Sequence, residues 1–150
     1  MCQEFLAFAQ SLPKWFKVNR SSLNKTLPLR QLTNTFPIFG REPDVRNFSA
    51  GDVIFSAGQA AEGLMYAVLD GEVEITVQDR VLETVTTNGV FGEMALIDQA
   101  PRSATAIAQT NGRLAAVTDK RFMVLVSQNP RFAIDMMQLH TQRVRRYKAS

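Results

Sequence analysis

Two oppositely charged residues, Glu93 and Arg102, stand nine positions apart in a segment that is small or apolar except at Asp98 and Gln99, Gly89-Val90-Phe91-Gly92-Glu93-Met94-Ala95-Leu96-Ile97-Asp98-Gln99-Ala100-Pro101-Arg102-Ser103-Ala104-Thr105. The guanidinium of Arg102 can hold a phosphate through two parallel hydrogen bonds, which an ammonium cannot do. Ser103 adds a hydroxyl, and its neighbours add backbone N–H groups. Gly92 has no side chain, so a ligand can come close to the backbone there. Residues 93–97 are predicted to form one or two helical turns, whose free N–H groups and positive dipole suit an anion. Pro101-Arg102 then brings the guanidinium back towards the same point. A carboxylate is out of place beside a phosphate, but Glu93 can accept hydrogen bonds from a sugar hydroxyl. One acid for a sugar and one arginine for a phosphate describe a site of nucleotide size. Taken singly, Arg102 could be a surface residue paired with Asp98, and Glu93 an N-terminal helix acid. Taken with Gly92 and Pro101, the two residues favour the ligand reading.

The elements around this segment are mostly short strands. Val45–Phe48, Val53–Phe55, Leu64–Leu69, Val73–Val77, Val81–Val85, Ser103–Ala108 and Leu114–Thr118 are apolar or alternating runs, separated by turn residues. Asp70-Gly71 reads as a hairpin signal between two of them. Many short strands with such turns predict a sandwich or barrel. Thr118 or Asp119 can cap a helix over 120–128, and Asn129-Pro130 ends it and starts another. In that last helix Ala133, Met136, Met137, Val144 and Tyr147 fall at spacings of three and four, with His140 on the same stripe. The expected fold is mainly β with α: a jelly-roll-like β-roll, a short helix within it and two C-terminal helices.

The chain has 150 residues, enough for one domain with an extension. Residues 1–35 read as an N-terminal arm with a short amphipathic helix (Phe5, Phe8, Leu12, Trp15, Phe16) and an irregular stretch. Residues 36–150 read as the domain. Positions 1–40 carry five bases against one acid, positions 41–120 six against twelve, and positions 121–150 six against one. The basic ends read as solvated helix faces, with nucleic acid or an anionic surface as the alternative. No run approaches the roughly 18 apolar residues of a membrane span. Glu4 and Pro13 spoil a signal peptide, and the lone Cys2 allows no internal disulfide, so a cytoplasmic location is expected. One cysteine and one histidine give neither a metal cluster nor a nucleophile–base pair, so catalysis is not expected.

The segment F-G-E-M-A-L…P-R-S-A-T resembles the phosphate-binding cassette of cyclic nucleotide-binding domains, as found in catabolite activator proteins and regulatory subunits of cAMP-dependent protein kinase. Gly51–Phe55 (G-D-V-I-F) and Met65–Val73 (M-Y-A-V-L-D-G-E-V) are similar to the family as well. The resemblance covers about Phe36 to Tyr147. It implies that Glu93 accepts the ribose 2′-hydroxyl and that Arg102 pairs with the cyclic phosphate. Gly92, Ala95, Ser103 and Ala104 would supply backbone N–H groups, with Met94 between them, and Gly58, Gly71 and Gly89 would be turn glycines. It further implies that the last helix closes over the base; Tyr147 and His140 are the candidates for the base contact. The ligand expected is cAMP or cGMP, with cAMP favoured, and no further cofactor. A protein partner is expected, unidentified, and the C-terminal helix could pair with a second copy. A helix-turn-helix would have to begin where the chain ends, so DNA binding is not expected. The alternatives are a truncated transcription regulator of the catabolite-activator type, or a degenerate module that has lost its ligand.

Overall fold

The computed structural model describes Phe39 and residues 41–149; the expected N-terminal arm, 1–35, lies outside the described residues. Eight strands form two four-stranded antiparallel sheets. The first takes β1 (Val45–Phe48), β8 (Gly112–Thr118), β3 (Leu64–Asp70) and β6 (Val90–Phe91), in that order across the sheet. The second takes β2 (Val53–Phe55), β7 (Thr105–Ala108), β4 (Val73–Val77) and β5 (Arg80–Val85). Helix α1 (Glu93–Ile97) interrupts the strands, and α2 (Asp119–Gln128) and α3 (Pro130–Ala149) follow them. This is the expected β-roll with helices.

Strands β3 and β8 explain why the described residues form two cores. Successive side chains of a strand point to opposite faces. Tyr66, Val68, Leu114 and Ala116 point into the roll, where they meet Phe55, Val73, Ile75 and Phe91. The alternate residues Met65, Ala67, Ala115 and Val117 point outwards and are covered by Leu96, Leu125, Phe132, Met136 and Leu139 of the helices. A strand buried on both faces reads as a continuous apolar run; L-M-Y-A-V-L and L-A-A-V are such runs.

Three expectations are corrected here. Asp70-Gly71 does not close a hairpin, because β3 pairs with β6 and β8 while β4 pairs with β5 and β7. It carries the chain from one sheet to the other. Gly71 has φ +91°, and a Cβ there would meet the Asn111 carbonyl oxygen at 2.7 Å. The tight hairpin is β4–β5, turned by Gln78 and Asp79, both at positive φ (49° and 60°), the backbone demanded by a two-residue turn. The apolar stripe of α3 is also displaced: Phe132, Met136 and Leu139 are buried, whereas Met137, Val144 and Tyr147 are more than half exposed. Finally, Val90–Phe91 forms a two-residue strand beside β3.

The helices are anchored locally. The Thr118 hydroxyl caps α2 by accepting from the Arg121 N–H at 3.2 Å. Arg121 Nε donates to both oxygens of the buried Glu42 carboxylate, at 3.0 and 2.9 Å. That hydrogen bond raises the Arg121 pKa further.

Candidate functional site

Arg102 is fixed first through its backbone. Its N–H donates to the Gln59 carbonyl at 2.8 Å, and its carbonyl accepts from the Gly58 N–H at 2.7 Å. The side chain then runs inwards and is only 4% exposed. Its guanidinium lies over the Phe55 ring, 4.2 Å from the centroid, and 5.6 Å from that of Tyr66. Nη1 donates to the Gly92 carbonyl at 2.9 Å. Nε is buried and makes no hydrogen bond. An unmet buried donor costs about 1–3 kcal/mol, and a positive charge makes the deficit worse. Asp98, the alternative partner, instead accepts from the Ala100 N–H.

Gly92 is held at φ +74° as the N-cap of α1, with no side-chain cap. A Cβ there would meet Arg102 Nη1 at 2.8 Å and the Phe55 ring at 3.2 Å. Glycine is thus required twice, by the left-handed backbone and by the close approach of the guanidinium. Glu93 begins α1 and is 2% exposed. Ala95 and Ala104 are buried, Met94 is exposed, and the Ser103 hydroxyl donates to the Met94 sulfur at 3.6 Å.

Two participants were missed in the sequence. Arg143, expected on a solvated face, reaches from α3 to the roll. Its Nη1 donates to Glu93 Oε1 at 2.6 Å, its Nη2 to the Val90 carbonyl at 2.6 Å, and its Nε to Glu83 Oε1. Arg146 Nη1 adds a looser contact to Glu83 Oε2 at 3.3 Å. Burial disfavours the charged form of Arg143, but the carboxylates of Glu93 and Glu83 outweigh it and raise its pKa. A signal existed: Phe132, Met136 and Leu139 are followed at the same helical spacing by Arg143, a base continuing an apolar stripe. Glu83 likewise sits in a strand among Val81, Leu82 and Val85.

Arg102, Gly92, Glu93, Glu83 and Arg143 border one cavity of about 390 Å³, within the size range of small-ligand sites. Gly92, Glu93, Met94, Ala95, Arg102, Ser103 and Ala104 form one end, and Ile75, Val77 and Leu82 form an apolar wall. His140, Arg143, Val144 and Tyr147 contribute from α3. Every residue predicted for the site is therefore on this cavity. His140 Nε2 lies 3.4 Å from Glu93 Oε1, and the Tyr147 side chain sits on the rim, 55% exposed.

The family model for the cyclic nucleotide-binding domain matches residues 45–129. The chain belongs to the cyclic nucleotide-binding domain family. It is 30% identical over 105 residues to the cyclic AMP receptor protein of Thermus thermophilus, covering 67% of this chain and 48% of that protein. It is 33% identical over 81 residues to the cGMP-dependent protein kinase of Plasmodium berghei, covering 54% of this chain and 9% of the kinase. The crystal structure of Thermus thermophilus catabolite activator protein superposes with a TM-score of 0.64 at 28% identity, covering 71% of this chain and 52% of that one. The chain spans about half or less of the length of these relatives. No described helix is long and apolar enough to cross a membrane.

Proposed function

We propose that this chain is a receptor domain for a cyclic nucleotide, with cAMP preferred, and that it performs no catalysis of its own. The observation that carries this reading is the buried guanidinium of Arg102, with a free donor edge, on the same cavity as the buried carboxylate of Glu93. A cyclic phosphate would take the guanidinium in place of the Gly92 carbonyl and satisfy the idle Nε. Backbone N–H groups of Gly92, Ala95, Ser103 and Ala104 would complete its shell. Glu93 would accept the ribose 2′-hydroxyl. The base would lie against Ile75, Val77 and Leu82, with Tyr147 as the stacking ring. That apolar wall favours adenine, because guanine would strip water from more polar edges on entering it.

Signalling follows from α3, which shares the cavity with the cassette. A ligand touching both favours the arrangement in which they are close, and shifts the population by its difference in affinity. A partner protein would read the position of α3.

Removing one member of a buried charged pair costs about 2–5 kcal/mol. Arg102→Ala should therefore weaken cAMP binding about a hundredfold or more in calorimetry. Unchanged affinity for cAMP and cGMP in that variant would refute the assignment.

A further inference from the structure

Among the described residues, two buried side-chain nitrogens have no hydrogen-bond partner, Arg102 Nε and His140 Nε2. The residues that carry them line the same cavity. The first is explained by a phosphate; the second has no explanation in the site as described so far. His140 is also the chain's only histidine.

The position of its ring narrows what it can do. Nε2 is 3.4 Å from Glu93 Oε1 without an aligned hydrogen bond. The same oxygen is held at 2.6 Å by Arg143 Nη1, so the carboxylate is fixed from one side and loosely bordered from the other. An oxygen about 2.8 Å from each of two atoms this close is geometrically allowed, and that is an ordinary hydrogen-bond length. The gap between imidazole and carboxylate holds no hydrogen bond, so parting it loses little. A hydroxyl arriving there finds an acceptor in Glu93 and a donor in the Nε2–H tautomer of His140. It has one proton to give and lone pairs to fill, so the two protein groups match its two needs.

We infer that His140 is a specificity-determining residue for the sugar: it donates to the oxygen of the same 2′-hydroxyl whose proton goes to Glu93. The sequence alone pointed His140 at the base; the 3.4 Å approach of its Nε2 to Glu93 Oε1 points to the ribose instead. This inference rests on the receptor reading above.

The test is calorimetry of cAMP and 2′-deoxy-cAMP with the wild type, His140→Ala and His140→Gln. The wild type should prefer cAMP. His140→Ala should narrow the cAMP to 2′-deoxy-cAMP affinity ratio about fivefold, the worth of one hydrogen bond. His140→Gln, whose amide nitrogen can donate from nearly the same place, should restore most of it. A side chain that merely packs α3 would weaken both nucleotides alike. An unchanged ratio in His140→Ala, with the melting temperature of the free protein preserved, overturns the inference and leaves the receptor reading standing. Binding of neither nucleotide by the wild type would end both.

Discussion

At the scale of single residues, the site depends on a glycine as much as on its charges. Gly92 allows Arg102 to lie against the backbone and the Phe55 ring, and its own φ is +74°. A left-handed backbone costs a residue with a side chain about 1–2 kcal/mol. Gly92→Ala should lower stability to urea by about that amount and also displace the guanidinium, so its effect on cAMP affinity should exceed its effect on folding. Equal, small effects on both would show that the close contact does not matter. Glu93, Arg102 and Gly92 were legible in the sequence because each residue type is unusual in its setting. Arg143 and Glu83 were missed: each carries only the weak signal of a charge continuing an apolar pattern, and tertiary packing is what brings them together.

At the scale of elements, α3 is tied to the roll by charge as well as by apolar contact. Arg143 satisfies Glu93, Glu83 and the Val90 carbonyl with three different nitrogens. Deleting one partner of a buried ion pair typically costs about 3–5 kcal/mol, because the other charge is left stranded. Arg143→Ala should destabilise the domain by that order in chemical denaturation. Arg145→Ala, at an exposed position, should stay within about 0.5 kcal/mol. A folded-state pKa above the unfolded one gives stability that is complete below the unfolded value, fades between the two and is gone above the folded one. The raised Arg143 pKa therefore makes its contribution constant from neutral into mildly alkaline solution, a flat profile that thermal melts across that range would show. Elements bounded by turn residues were readable, and α1 spans the residues expected. Asp70-Gly71 misled because a turn sequence says that the chain bends, not which sheet receives it. Gln78-Asp79 gave no signal because neither is glycine.

At the scale of the whole molecule, two cores share the strands β3 and β8. One core backs the cavity and the other holds the helices that border it. Phe132, 1% exposed, packs edge-on to Phe39 at 5.9 Å and against Phe122 at 5.4 Å. Phe132→Ala should cost about 3–5 kcal/mol in urea denaturation; a loss below about 1 kcal/mol would mean the helices are not held through this core. The double burial of β3 and β8 was visible as unbroken apolar runs. The pairing order of the strands was not, since it depends on contacts far apart in the chain.

The location of the ligand is tested most directly by following backbone amide resonances during a titration with cAMP. The amides of Gly92, Ala95, Ser103 and Ala104 should shift together and saturate at one equivalent, accompanied by residues of α3 around His140. Shifts confined to surfaces away from this cavity, or none at saturating nucleotide, would contradict the account.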